Sequence, residues 1–144
     1  MKISVSNIAW YTDIKKIDGF LKFISDIGCE GVELAPSAIW KEPIDSTRQE
    51  RNDLKLKIKN FNLKLIGFHS LLYSRPELKF FENSNLRKQT KNYIFNLINL
   101  CSDLGGTNLV YGSPKSRELC GKKYDDCKEQ IIFDFYEIAE YAKK

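Results

Sequence analysis

The sequence predicts an α/β fold in which four parallel strands alternate with four helices. Three observations lead there. Short strand-like runs alternate along the chain with longer stretches of helical hydrophobic period. A four-residue pattern, Ser25-Asp26-Ile27-Gly28, returns as Ser102-Asp103-Leu104-Gly105, each time between an amphipathic stretch and a strand-like run. Polar or aromatic residues also stand at the end of every strand-like run.

The elements follow in order. Ile3 to Ile8 reads as the first strand. Asp13 is placed to cap a helix whose apolar stripe is Ile14, Ile17, Phe20, Leu21, Ile24 and Ile27, and Gly28 ends it. Gly31 to Leu34 is the second strand, closed by Ala35-Pro36, and Pro36 and Pro43 bracket a loop. Arg48 to Phe61 is a helix with Leu54, Ile58 and Phe61 on one face. Leu63 to Phe68 is the third strand, and Ser70 to Asn83 a long loop carrying Pro76. Asn85 to Leu104 is the next helix, with Tyr93, Ile94, Leu97, Ile98, Cys101 and Leu104 on its face, stopped by Gly105-Gly106. Asn108 to Tyr111 is the fourth strand, broken by Gly112-Ser113-Pro114. The last helix spans Tyr124 to Ala142, where Ile131, Ile132, Phe135, Ile138, Ala139 and Ala142 recur at helical spacing.

Four βα units give a parallel sheet, because each helix returns the chain to the starting edge. Two architectures fit: an open sheet with helices on both faces, or part of a (β/α)8 barrel. A complete barrel takes about 250 residues. The 144 residues here supply about half of one, read as a single domain over 1–144. The mix of 42% hydrophobic and 29% charged residues is that of an ordinary globular chain, not a disordered or collagen-like one.

The net charge is +4, too mild for a dedicated nucleic-acid domain. The surplus lies in Arg48–Lys64 and Arg75–Lys91, which read as solvated helix faces or as an attraction for an anionic substrate. No apolar run reaches the roughly 18 residues of a membrane span, and no leader sequence is legible at the start. Cys29, Cys101, Cys120 and Cys127 form no C-x-x-C pair, so free thiols and a cytoplasmic location are expected.

In parallel βα folds the C-terminal strand ends gather on one side, which carries the active site. Those ends hold Asn7, Ala9 and Trp10, then Glu33, then His69 and Ser70, then Tyr111, Gly112 and Ser113, with Arg117 following. Glu33 lies inside an otherwise apolar strand, where a carboxylate needs a partner or a wet cavity. It reads as a hydroxyl acceptor or general base, or as half of a buried pair with a lysine or arginine. His69, the sole histidine, suits acid–base work, a substrate hydrogen bond, a metal, or a satisfied place in the core. Arg117 can fork onto a phosphate or carboxylate, or stand exposed on its loop. Trp10 and Trp40 suit either a sugar-stacking wall or plain packing. Dinucleotide, P-loop and nucleophile-elbow signatures are absent.

Gly31-Val32-Glu33-Leu34, Gly67-Phe68-His69-Ser70-Leu71-Leu72-Tyr73 and Val110-Tyr111-Gly112-Ser113-Pro114, in that order and spacing, resemble the xylose-isomerase-like superfamily. That group includes sugar phosphate isomerases and epimerases and the class II apurinic endonucleases. The resemblance implies the N-terminal half of a TIM barrel. It also implies a divalent metal (Mn, Mg or Zn) that assists proton transfer beside a sugar carbonyl. In those epimerases the metal ligands come from later strands, so none is assigned to this chain. By resemblance Glu33 and His69 contact sugar hydroxyls or support the active site, and Arg117 meets a phosphate. The expected catalytic residues are thus Glu33 and His69, and the expected contacts to a small sugar or sugar phosphate are Trp10, Ser113 and Arg117. The endonuclease branch expects a further histidine where Gly112-Ser113-Pro114 stands, which disfavours a repair nuclease.

The expectation is therefore half of an isomerase/epimerase-like barrel, with no membrane partner and nucleic acid unfavoured. Its rivals are a non-enzymatic sugar- or phosphate-binding module and a half barrel that self-associates into a homo-oligomer through its open edges.

Overall fold

The computed structural model describes residues 2–10 and 15–144. They form two compact units. The first is the chain up to Leu71 together with Asn99–Gly112; the second is Leu72–Ile98 with Ser113–Lys144.

The first unit holds the sheet. β1 (Ser4–Ser6) leads into a 3-10 turn at Asn7–Trp10. α1 (Ile17–Asp26) and β2 (Gly31–Leu34) follow. The expected loop after Pro36 contains a one-turn helix, α2 (Pro36–Ile39), and a 3-10 turn at Pro43–Asp45; in each a proline takes an early position where its missing N–H costs nothing. α3 (Arg48–Asn60), β3 (Lys64–Phe68), the C-terminal end of α4 (Ser84–Leu104) and β4 (Asn108–Leu109) complete the unit. The four strands are all parallel, in the order β1-β2-β3-β4. β1 and β4 are shorter than the sequence suggests, although the Val110 amide still donates to the Phe68 carbonyl at 2.7 Å.

α1 buries Ile17, Phe20, Leu21 and Ile24, as its period requires, whereas Ile27 stands 60% exposed past the helix end. Asp13 and Ile14 lie outside the described residues. α3 starts on a capping box: the Thr47 hydroxyl accepts from the Glu50 amide, and the Glu50 carboxylate accepts from the Thr47 amide at 2.7 Å. Leu54 and Ile58 are its buried face, while Phe61 lies just beyond the helix and is half-buried.

The repeated Ser-Asp-x-Gly pattern proves to be a helix-ending device. Gly28 (φ +84°) donates to Ser25 while Cys29 donates to Ile24; Gly105 (φ +86°) donates to Ser102 while Gly106 donates to Cys101, all at 2.9 Å. These are Schellman closures, which need a residue in the left-handed region and favour glycine. A third closes α3, with Asn62 (φ +58°) in the glycine position. Its amide donates to Lys59 and that of Leu63 to Ile58. Each long helix of this unit thus hands the chain to the next strand by the same turn.

The sheet has a helix-covered face and an open one. Val32, Leu34, Leu65 and Phe68 are buried, whereas Ser4, Ser6 and Glu33 are half-buried on the opposite side. β3 carries one extra residue: Val32 pairs with Leu65 but Glu33 pairs with Gly67, leaving Ile66 as a bulge. At Gly67 a Cβ would lie 1.9 Å from the Asn108 carbonyl oxygen, so only glycine permits β4 to approach here.

The second unit contains the long loop, the N-terminal part of α4, a 3-10 turn at Lys115–Arg117 and α5 (Tyr124–Ala142). Leu78, Phe80 and Phe81 of the loop are buried, with the Phe80 ring 5.9 Å from that of Phe135. α5 has the expected bounds but a different inner face. Cys127, Asp134 and Ile138 are buried, while Ile132 is 60% exposed and Ala139 and Ala142 are open to solvent. The reason is electrostatic: the carboxylate of Asp134 occupies the inner face, held by Arg87 Nε at 2.8 and 3.1 Å and by Lys91 Nζ at 3.2 Å. Lys91 also reaches Glu137.

Both basic stretches spend charge on local ion pairs, Arg51–Asp103 and Lys57–Asp18 in one unit, Lys79–Glu118 and Arg87–Asp134 in the other. Among the described residues no helix is long and apolar enough to cross a membrane. All four cysteines are free.

Removing one partner of a buried pair strands the remaining charges. Asp134→Ala is therefore expected to lower stability by about 3–5 kcal/mol in urea unfolding. A loss below about 1 kcal/mol would place the pair among those with little net worth.

Candidate functional site

The open face of the first unit carries a polar cluster across three adjacent strands. Pairing aligns Ser6 of β1 with Glu33 of β2 and Glu33 with Gly67 of β3. Ser4 lies two residues before Ser6, on the same face. Its hydroxyl donates to Glu33 Oε1 at 3.1 Å. Glu33 Oε2 accepts from none of the described residues. The expected alternative, a lysine or arginine paired with Glu33, is not what holds this carboxylate: its recorded partner is the Ser4 hydroxyl.

His69 follows β3 directly. Its backbone amide donates to the Leu34 carbonyl, which extends the β2–β3 pairing by one step. Its ring spans β2 to reach β1, with Nε2 2.6 Å from Ser6 Oγ. On the other side Nδ1 lies 3.0 Å from Ser70 Oγ. Ser70 sits at φ +53°, a left-handed turn that carries the chain away just after the histidine. The Ser6 hydroxyl oxygen also accepts from the Ile8 amide at 3.1 Å, which fixes it in place. Either neutral tautomer of His69 satisfies both serines, donating to one and accepting from the other.

Burial holds the His69 imidazole pKa below its ordinary value, and the nearby Glu33 carboxylate offsets part of that. A neutral imidazole therefore faces a carboxylate across the open face at neutral pH. Such a pair accepts hydroxyl protons at Glu33 and either donates or accepts at His69, which suits hydrogen bonding to a polyol and proton transfer beside it.

A cavity of about 390 Å3 opens on the same side, with Glu33 at one end, Gly67 and Phe68 beneath, and Thr107, Asn108 and Val110 at the other. That volume lies within the range of small-ligand sites.

The other expected residues have surroundings of their own. Trp10 leans on α1, its ring 4.9 Å from Phe23 and 6.3 Å from Phe20. Trp40 is buried in packing. Asn7 is buried and accepts from the Ala35 amide at 2.8 Å, tying the end of β1 to the end of β2. Ser113 and Arg117 belong to the second unit. There the Ser116 hydroxyl donates to the Ser113 carbonyl at 2.9 Å. The Ser113 hydroxyl is shielded with no hydrogen-bond partner among the described residues, and Arg117 is exposed on its 3-10 turn. Ser4 and Ser6 escaped the sequence reading. Their signal was Ser4-Val5-Ser6, a polar-apolar-polar alternation where a strand buried on both faces runs apolar throughout.

Glu33 and His69 are two candidate metal ligands, and among the described residues no three His, Cys, Asp or Glu side chains converge. The residues present do not fit a metal centre by themselves, since a protein site of this kind takes at least three protein ligands.

Two of the solved structures that share this fold are D-psicose 3-epimerases. One is the D-psicose 3-epimerase of Clostridium cellulolyticum H10 with D-tagatose, 14% identical, at a TM-score of 0.74. The match covers 99% of this chain and 49% of that one. The other is a D-psicose 3-epimerase in the presence of D-fructose, 13% identical, TM-score 0.73, with the same coverage of 99% and 49%. The fold is that of half a (β/α)8 barrel. This half-barrel chain spans about half the length of the structures it matches. No family model matches it, and neither does any curated protein.

The His69 environment has a measurable signature. Its ring protons are expected to titrate by NMR below the ordinary imidazole midpoint, about 6.5. Glu33→Gln removes the attracting charge and lowers the midpoint further. Because the unfolded chain takes up this proton more readily, the stability tied to His69 is full above about pH 6.5 and declines as pH falls through the folded-state value. A midpoint above 6.5, or one that rises in Glu33→Gln, contradicts this arrangement.

Proposed function

We propose that this half barrel is the substrate-binding side of a sugar isomerase or epimerase, acting on a small sugar or sugar phosphate. The single observation that supports the reading is the convergence of Glu33 and His69 on the open face, each held by a serine of β1. Glu33 accepts a substrate hydroxyl, and neutral His69 fixes a second oxygen or passes a proton to it. Ser4 and Ser6 orient the two groups.

The outer edges of β1 and β4 carry no strand among the described residues, and Ile3 and Val110 beside them are 56% and 55% exposed. Four further parallel strands would close the barrel, since eight are needed. In this reading those strands bring the remaining groups of the reaction. The divalent metal implied by the fold family belongs with that complement, because the donors here do not make up its site. No step of this chain's chemistry is routed through it.

The test is calorimetric titration of the 144-residue chain with D-fructose and D-psicose. Saturable binding is expected, weakened about tenfold or more by Glu33→Gln and by His69→Phe, each of which removes a hydrogen bond to a charged or desolvated group. Binding that is unchanged in both variants, or absent in the wild type, would refute the assignment.

A further inference from the structure

One register row crosses all four strands: Ser6, Glu33, Gly67, Asn108. Its last three members line the cavity. Glu33 and Asn108 stand on either side of Gly67, on β2 and β4, and β4 comes close enough there that a Cβ at Gly67 would lie 1.9 Å from the Asn108 carbonyl oxygen. Gly67 places no side chain between them. Asn108 is exposed, and its side-chain amide bonds to nothing among the described residues. The two ends differ in chemistry. Glu33 accepts hydrogen bonds through a free Oε2, while the Asn108 amide both donates and accepts.

We propose that Asn108 is a ligand-binding residue of this cavity and that a polyhydroxylated chain lies across Gly67, a hydroxyl donating to Glu33 and a carbonyl or hydroxyl oxygen accepting from Asn108 Nδ2. This deepens the sugar-binding reading and rests on it. The row sets polarity along the bound molecule: its acceptor oxygen lies on the β4 side and its donor hydroxyl on the β2 side.

The experiment is calorimetry on the full chain with D-fructose as probe, comparing wild type, Asn108→Ala and Asn108→Asp. One net hydrogen bond corresponds to about fivefold in affinity. Both variants are expected to bind at least about fivefold more weakly, with unfolding midpoints close to wild type because the side chain is exposed. Asn108→Asp keeps the shape and loses the donor, so its weakening identifies Nδ2 as the contact. If wild type binds and Asn108→Ala binds within about twofold of it, this inference is overturned while the Glu33–His69 reading stands. If wild type shows no saturable binding, both are overturned.

Discussion

The site depends on one irregularity in β3. Leu65 pairs with Val32, yet Gly67 pairs with Glu33, so Ile66 is an extra residue. Without it the alternation would turn Phe68 to the open face and His69 toward the helices. With it, Phe68 stays in the core at 1% exposure and His69 reaches Ser6 on the open face. Bulges are uncommon between parallel strands and gather beside functional sites, where they re-aim a side chain. Gly67 is the other half of the device. It admits the β4 backbone at a distance no side chain allows, with the Asn108 carbonyl oxygen 1.9 Å from where a Cβ would stand.

What the bulge delivers is an electrostatic arrangement. A carboxylate and a neutral imidazole meet on a half-buried surface, each steadied by a hydroxyl and neither tied to a cation. An ion-paired Glu33 would be committed to its partner; a serine-bound one keeps an oxygen for a ligand. Burial keeps His69 uncharged, so it can act in either sense of a hydrogen bond. The contrast with Asp134 is instructive. That carboxylate is fully buried and gripped by Arg87 and Lys91, which is what a structural acid looks like in this chain.

Much of this was legible in the sequence. Helical spacing located α1, α3, α4 and α5, and the Ser-Asp-x-Gly echo marked two helix ends because a Schellman turn wants glycine. The third such turn was hidden because Asn62 performs it. Placing Glu33 and His69 at neighbouring strand ends followed from parallel topology alone. Their joint orientation did not, since a bulge leaves no mark in hydrophobic period. Spacing also misjudged Ile27 and Ile132: period assigns a face, but a helix end and a buried Asp134 decide what is covered. Asn108 carries no signal in sequence, because its place depends on which residue of β3 it faces.

The central claim is that the β3–β4 approach at Gly67 creates the ligand-binding row. The most direct measurement is an NMR titration of Gly67→Ala with D-fructose, following amide exchange at Val110 in the same sample. The account predicts that the added methyl forces β4 away, so that the Val110 amide loses its bond to Phe68, exchanges fast, and no saturable shifts appear around Glu33 and His69. A variant that keeps Val110 protected and shows the wild-type shifts would contradict it.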